Sequence, residues 1–522
     1  MTNARPYVKP YSIEALEEQL AGLTPSTPET IVAKVHKTYF EEYFGSKGVQ
    51  AATMVVEPKY VDRDFLDDYA AYYATCFQTY ERHCSRLHFF TAKFCEDEFL
   101  ALLSGKPSAL SQEMLQSSYL GFIVVKPLPA YVIGRTCLKT YESDNGRRHF
   151  PITRKYHANL MGIPLEVETL AFQEQDRAAA ACATTALWVT FQGTGVLFAH
   201  QIPSPVTITK AANKRVSSTM RTLPSNGLSV SQMADAIHQI GLDPLVIDLK
   251  KTSLPKQTLL NMVYTHLRGG IAPLLTFNIR DGGHAVVVTG YSLGKRCQTL
   301  CKNYGTVFRW SRIDKFYVHD DQIGPFARME FDTADDKLIT SWKNKKSECG
   351  IKVEPTTLLI PLYHKIRVPV ERIIEAVTAF SKVLDTLQRE KTFQKIIKKH
   401  KGMSAPFSLE WDLYLTTTNK LKRSVFQIPC IGVKHKIEAL CAHLPKYLWR
   451  ATAFHQDDPF FDLLFDATDV ERGKMFVRAI EYQPVYSALL RAMPESMPVK
   501  GQGAPDVQGI FDWFSHRPEE VE

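Results

Sequence analysis

Gln175-Asp176-Arg177-Ala178-Ala179-Ala180-Ala181-Cys182-Ala183-Thr184-Thr185-Ala186-Leu187-Trp188 is the stretch that decides how this chain is read. Alanine is the strongest helix former, so the run predicts a helix from about Ala178 to Gln192, closed by Gly193-Thr194-Gly195. Cys182 then sits near the start of that helix. There the outward-pointing backbone N–H groups and the partial positive charge of the helix terminus favour a thiolate. The small neighbours leave room for a substrate backbone. A cysteine in an alanine-rich helix is also an ordinary packing residue, so the chemical reading depends on whether a base and an acid stand further along the chain.

Downstream, Ser229 caps a helix expected to run to Ile240, and another is expected from about Lys256 to Leu267. Strands come next at Ile271 to Phe277, Ala285 to Tyr291, Phe316 to His319 and Thr357 to Ile366. Helices lead and strands come after, the order of a helix-plus-antiparallel-sheet unit. Two of these strands carry chemistry. Asp281-Gly282-Gly283-His284-Ala285-Val286-Val287-Val288 feeds a glycine turn into a buried strand with His284 at its entrance, where the glycines admit another backbone and the strand aims the imidazole. Phe316-Tyr317-Val318-His319-Asp320-Asp321-Gln322-Ile323-Gly324-Pro325 ends a strand in carboxylates. Asp320, which directly ends the strand, is expected to accept the Nδ1 hydrogen of His284 and fix its orientation. The plain alternatives are a histidine at a strand end and a pair of turn-capping aspartates. Cysteine, histidine and aspartate in one compact region favour a triad.

These residues resemble the papain-like cysteine peptidases, and among them the bacterial C39-like type. The resemblance rests on Gln175 ahead of the helix-starting Cys182, Gly283-His284 before an apolar strand, and Asp320 ahead of Gly324-Pro325. It covers about Ala171 to Ile366. It implies a papain-like fold and a Cys182-His284-Asp320 triad, with Gln175 helping to form the oxyanion hole. Gln173 is the alternative for that role, since Gln175 stands seven residues and Gln173 nine residues before the cysteine. The implied activity is hydrolysis of a peptide or isopeptide bond in a protein or peptide substrate. Acyl transfer or deamidation by the same triad is the alternative outcome, and a non-catalytic papain-like binding or scaffold protein is the rival from another class.

The rest of the chain sets the frame. At 522 residues it is long enough for about three domains, expected as an N-terminal α/β module (1–150), the papain-like domain (151–368) and a mainly helical C-terminal module (369–522), an α+β protein as a whole. In the last third, Val370 to about Lys399 reads as an amphipathic helix with a basic end, Trp411, Leu413 and Leu415 as a strand, and Leu444 to Phe454 and Val470 to Met493 as helices around an acidic loop. The flanks suggest substrate selection or docking of a regulatory partner. Hydrophobic residues at 45% and charged residues at 23% exclude a disordered or collagen-like chain. The 63 Lys and Arg against 55 Asp and Glu give +8, too small an excess to call for nucleic acid. No apolar run approaches the roughly 20 residues of a membrane span, and the start lacks the pattern of a secretory signal, so a cytoplasmic protein without membrane association is expected. Ten scattered cysteines are expected to be reduced. His83, Cys84, His88 and Cys95 match no zinc knuckle, Cys297 and Cys301 read as unrelated thiols, and no phosphate loop follows a strand. No cofactor or metal is expected.

Overall fold

The computed structural model describes residues 5–176, 178–215, 222–279, 282–295, 306–332, 334–344, 347–389, 391, 394–395, 409–428, 431–455, 457–471, 473–482 and 504–515. Asp281, Cys297, Cys301 and the basic stretch 396–401 lie outside them. The chain packs into two compact units, Met1–Pro255 with Gly270–Ser292 and Asp314–Leu362, and Lys256–Gly269 with Leu293–Ile313 and Tyr363–Glu522. Both combine helices with mainly antiparallel sheet, an α+β architecture. The sequence boundary expected after residue 150 falls inside the first unit. There Thr136 and Phe172 exchange backbone hydrogen bonds of 2.7 and 2.9 Å.

The N-terminal part of the first unit is a five-stranded sheet in the order Tyr7–Pro10, Thr53–Tyr60, Cys84–Phe90, Tyr119–Val125 and Ile133–Leu138. Every neighbouring pair is antiparallel, which corrects the α/β reading. Parallel strands require long crossovers, and the buried strands around Leu87 and Ile123 carry no signal that tells parallel from antiparallel. Gly121 shows how tightly this sheet is built. Its φ is +113°, and a Cβ there would stand 1.9 Å from the carbonyl oxygen of Cys137, so no other residue fits.

The second part holds the expected chemistry. A nine-stranded sheet runs Ser347–Val353, Leu338–Asn344, Gly324–Phe331, Ile313–Asp320, Gly282–Leu293, Leu274–Ile279, Pro355–Tyr363 and Leu242–Asp248, with Arg148–His149 beside Gly282–Leu293. The helix Cys182–Phe198 touches the strand Leu274–Ile279, and Thr190 donates to the carbonyl of Ala272 at 3.1 Å. Every residue of this helix from Ala183 to Thr194 is buried, as expected of a helix apolar all round. It does not stop at Gly193. A Cβ on Gly193 would lie 2.8 Å from the Ile152 side chain, and one on Gly195 would lie 2.7 Å from Ile202. These glycines permit close packing within a longer helix rather than ending a shorter one.

The second unit corrects the mainly helical reading of the C-terminal module. Helices Val370–Leu387, Thr418–Gln427, Val433–Cys441 and Ala504–Ser515 accompany the strands Glu410–Thr417, Tyr447–His455, Asp458–Asp466 and Phe476–Glu481, which pair antiparallel in that order. Tyr447–His455 is therefore a strand where Leu444 to Phe454 reads as a helix, and the acidic segment from Asp457 forms the next strand. Tyr447 to Ala453 is buried on both faces, and such a continuous apolar run has no period to distinguish strand from helix. Part of Val470 to Met493 is the strand Phe476–Glu481, and residues 483–493 lie outside the described ones.

Candidate active site

The loop before the cysteine helix is shaped by one buried carboxylate. Asp176 Oδ1 accepts hydrogen bonds from the N–H groups of Ala178, Ala179 and Ala180 at 2.9, 2.6 and 3.0 Å, while its own N–H donates to the carbonyl of Ala180 at 2.8 Å. Its other oxygen faces the Lys126 ammonium at 3.8 Å, with both side chains buried. The alanines have no side chain to cap the turn, so the aspartate organises it, and the chain enters the helix with Cys182 as its first residue. Cys182 is half-buried, at the edge of a cleft.

His284 comes from the strand Gly282–Leu293, in register with Phe277 of the neighbouring strand, whose ring meets the imidazole edge-on at 5.5 Å. It is 5% exposed. Cys182 lines the same cleft as His284 and is near enough to bear on the charge of the imidazole. On the other side His284 Nε2 donates to Asp320 Oδ1 at 3.0 Å. This corrects the expected use of Nδ1 for the carboxylate. With Nε2 turned to Asp320, Nδ1 is the nitrogen left for the thiol. Asp320 is held in turn by the Gln322 N–H at 3.1 Å on Oδ1 and by the Trp342 indole N–H at 2.7 Å on Oδ2. The Trp342 ring also stands edge-on to His284 at 5.4 Å. The structure thus hydrogen-bonds His284 to Asp320 and places Cys182 beside His284 in one cleft.

Electrostatics favours an ionised pair. Burial works against a charged His284, but the charge and hydrogen bond of Asp320, the Cys182 thiol and the nearby Asp321 outweigh it and hold the imidazole well above its ordinary value. Burial likewise opposes ionisation of Asp320, and His284 with the Trp342 and Gln322 donors overcomes it, leaving this carboxyl below its usual range.

Gln175 is half-buried and lines the same cleft of about 700 Å³ as Cys182 and His284. Gln173 is buried and does not line it. Of the two, only Gln175 lines the cleft beside Cys182 and His284. One wall is the segment Ser225 to Ser229 with Met233, and the other is Thr276 to Asn278, Gly283 and Thr356 to Thr357. A Cβ on Gly282 or Gly283 would meet no atom within 4 Å, so the glycines leave open space beside His284.

His284, Asp320 and Asp321 are the one group among the described residues with donor atoms close enough to hold a metal, within 4.8 Å of one another. The donors of two of the three, Asp320 and His284, are already committed. Both Asp320 oxygens accept from N–H groups and His284 Nε2 is bound to Asp320, which leaves Asp321 as the member without hydrogen bonds to its carboxylate among the described residues. Of the zinc candidates in the sequence, His88 is a core residue bound by Tyr119 at 2.9 Å and Glu57 at 3.2 Å. Sequence reasoning missed Asp176 as the organiser of the turn and Trp342 as the second partner of Asp320. Asp176 carried a readable signal, since an aspartate ahead of residues that cannot cap themselves is an Asx-turn former. Trp342 carried none, because its approach depends on the pairing of distant strands. The chain matches no family model, and comparison with curated proteins gives no match.

Proposed function

We propose that this chain is a thiol-dependent hydrolase of the cysteine-peptidase kind, cleaving a peptide or isopeptide bond. The observation that carries the reading is that Cys182, at the head of a buried helix, lines one cleft with His284, whose imidazole is bound to the Asp320 carboxylate. Catalytic cysteines need a base within hydrogen-bond reach and a third group that orients the base, and a cysteine that merely packs needs neither. In this mechanism the Cys182 thiolate attacks the carbonyl carbon. The backbone N–H of Cys182 and the Gln175 amide stabilise the oxyanion, and the His284 imidazolium gives its proton to the leaving amine. Water then attacks the thioester, losing a proton to His284 as the acyl group leaves and the thiolate is restored. Asp320 and Trp342 act through His284 and hold its ring.

The cleft also suggests what binds. Among the described residues that line it, Asp176 is the one acid and none is Lys or Arg, and Asp176 is spent on the turn. The remaining walls are small, polar-uncharged or apolar, with Met233, Leu228 and Phe277 among them. Such a lining suits an uncharged, extended stretch of polypeptide. The test is alkylation by iodoacetamide at neutral pH. Cys182 is expected to react far faster than the other cysteines, and His284→Ala to abolish that preference. Uniform labelling of all accessible thiols overturns the proposal.

A further inference from the structure

Asp321, the residue after the triad carboxylate, is 3% exposed, and among the described residues neither of its carboxylate oxygens accepts a hydrogen bond. Buried acids without donors are rare, because taking a carboxylate out of water without replacing its hydrogen bonds costs free energy. The ordinary explanation, a turn aspartate capping its own backbone, fits Asp320, which binds the Gln322 N–H. It does not fit Asp321. The backbone of Asp321 is clamped, since its carbonyl lies 3.0 Å from Nε2 of the buried His36. This clamp holds the side chain in place, where Oδ1 stands 3.8 Å from Nε2 of His284.

We propose that Asp321 is a second positioning carboxylate for His284, a counter-charge that adds to Asp320 when ionised and is withdrawn when protonated. The inference rests on the triad reading above and adds a residue that the triad does not require. Around Asp321 stand His284 from the strand Gly282–Leu293, Asp320 beside it, His36 from the helix His36–Phe44, and Glu174, whose charge is met by Lys34. No cation other than the imidazolium is within ion-pair reach of it among the described residues. Burial, with Asp320 adding to it, pushes Asp321 up to about 7, so the second charge appears near neutral pH. The two neighbouring carboxyls divide the work through environment alone. Asp320, saturated by N–H donors, stays ionised and fixes the ring, while Asp321, without donors, changes its charge.

The test is NMR titration of the histidine-labelled full-length chain, with the His284 resonance identified by its absence in His284→Ala. In Asp321→Asn, which keeps the shape of the side chain, the His284 deprotonation midpoint is expected to fall by at least about one pH unit, the low end of what an opposite charge at this distance does. A midpoint unchanged from the native chain overturns the proposal. If Asp321→Asn does not fold, the native titration decides. A second inflection in the His284 shift near neutral pH, from ionisation of its neighbour, supports the proposal, and a single-step curve overturns it. The triad reading fails by a different result, unselective alkylation of Cys182, so the two failures are distinguishable.

Discussion

Replacing Asp176 by alanine tests how the cysteine is held. In the folded chain one oxygen of Asp176 satisfies three backbone N–H groups and the other faces the buried Lys126. The substitution leaves three donors and one ammonium without this partner. A hydrogen bond to a charged group contributes about 1.5–3 kcal/mol. Three bonds sharing one oxygen are not additive, but stranding the ammonium adds to them, and breaking one partner of a buried ion pair costs about 3–5 kcal/mol. That range is the expected loss. At about 1.5 °C per kcal/mol for a unit of this size, the thermal midpoint of the first unit falls by roughly 4–7 °C. The assay pairs calorimetry with the rate of Cys182 alkylation in chains still folded at 25 °C. Because the three N–H groups define the entry to the helix, both readouts are expected to drop. A midpoint within about 1 °C of the native value, with alkylation unchanged, refutes the claim that this carboxylate shapes the turn.

Gln175→Ala is expected to leave Cys182 alkylation intact and to slow turnover of a cleaved peptide about 10²- to 10³-fold, the usual loss for one oxyanion donor; equal effects on both rates count against an oxyanion role. Trp342→Phe keeps the ring beside His284 but removes the donor to Asp320, and a loss of about 1–2 kcal/mol in thermal or urea stability is expected. Gly283→Val fills open space beside His284, so stability should stay within about 0.5 kcal/mol while peptide KM rises; an unchanged KM shows that substrate does not pass there. Because burial raises Asp321 from 3.8 to about 7, the folded chain holds a proton between those values that the unfolded chain has lost. Stability therefore falls as pH rises through that window and is not recovered above it. Asp321→Asn should raise the melting temperature at pH 8 relative to the native chain and give little gain at pH 4, and equal gains at both pH values refute the assignment. Cys84 and Cys137 are buried, and burial pushes Cys137 up to about 12, so neither should react with iodoacetamide before the chain unfolds; labelling of either at the rate of the exposed Cys95 contradicts the packing.

How much of the fold and site is legible in the sequence depends on the range of the interactions involved. The Ser229 cap was readable because the Ser229–Gln232 capping box acts within a few residues, whereas the alanine run expected to open the cysteine helix at about Ala178 forms the turn before it, and the helix begins at Cys182. The strand from His284 was readable because an apolar run set off by two glycines is local too. The end of the cysteine helix was misread because the partners of Gly193 and Gly195 include Ile152, far back along the chain, and a glycine used for packing looks the same in sequence as one used to stop a helix. The strand Tyr447–His455 was misread for a related reason. Its neighbours on both sides are strands, and burial on both faces erases the alternation that identifies a strand. The site shows the same division. Cys182, His284 and Asp320 each sit at the end or entrance of an element, where local pattern is informative. Trp342 reaches Asp320 only through the pairing of Leu338–Asn344 with Gly324–Phe331 and of that strand with Ile313–Asp320, a relation no window of sequence contains. Which imidazole nitrogen meets the acid is likewise set by the sheet. Adjacent strands fix the side of the ring from which Asp320 approaches, and the choice of Nε2 is dictated by that approach rather than by the residue types.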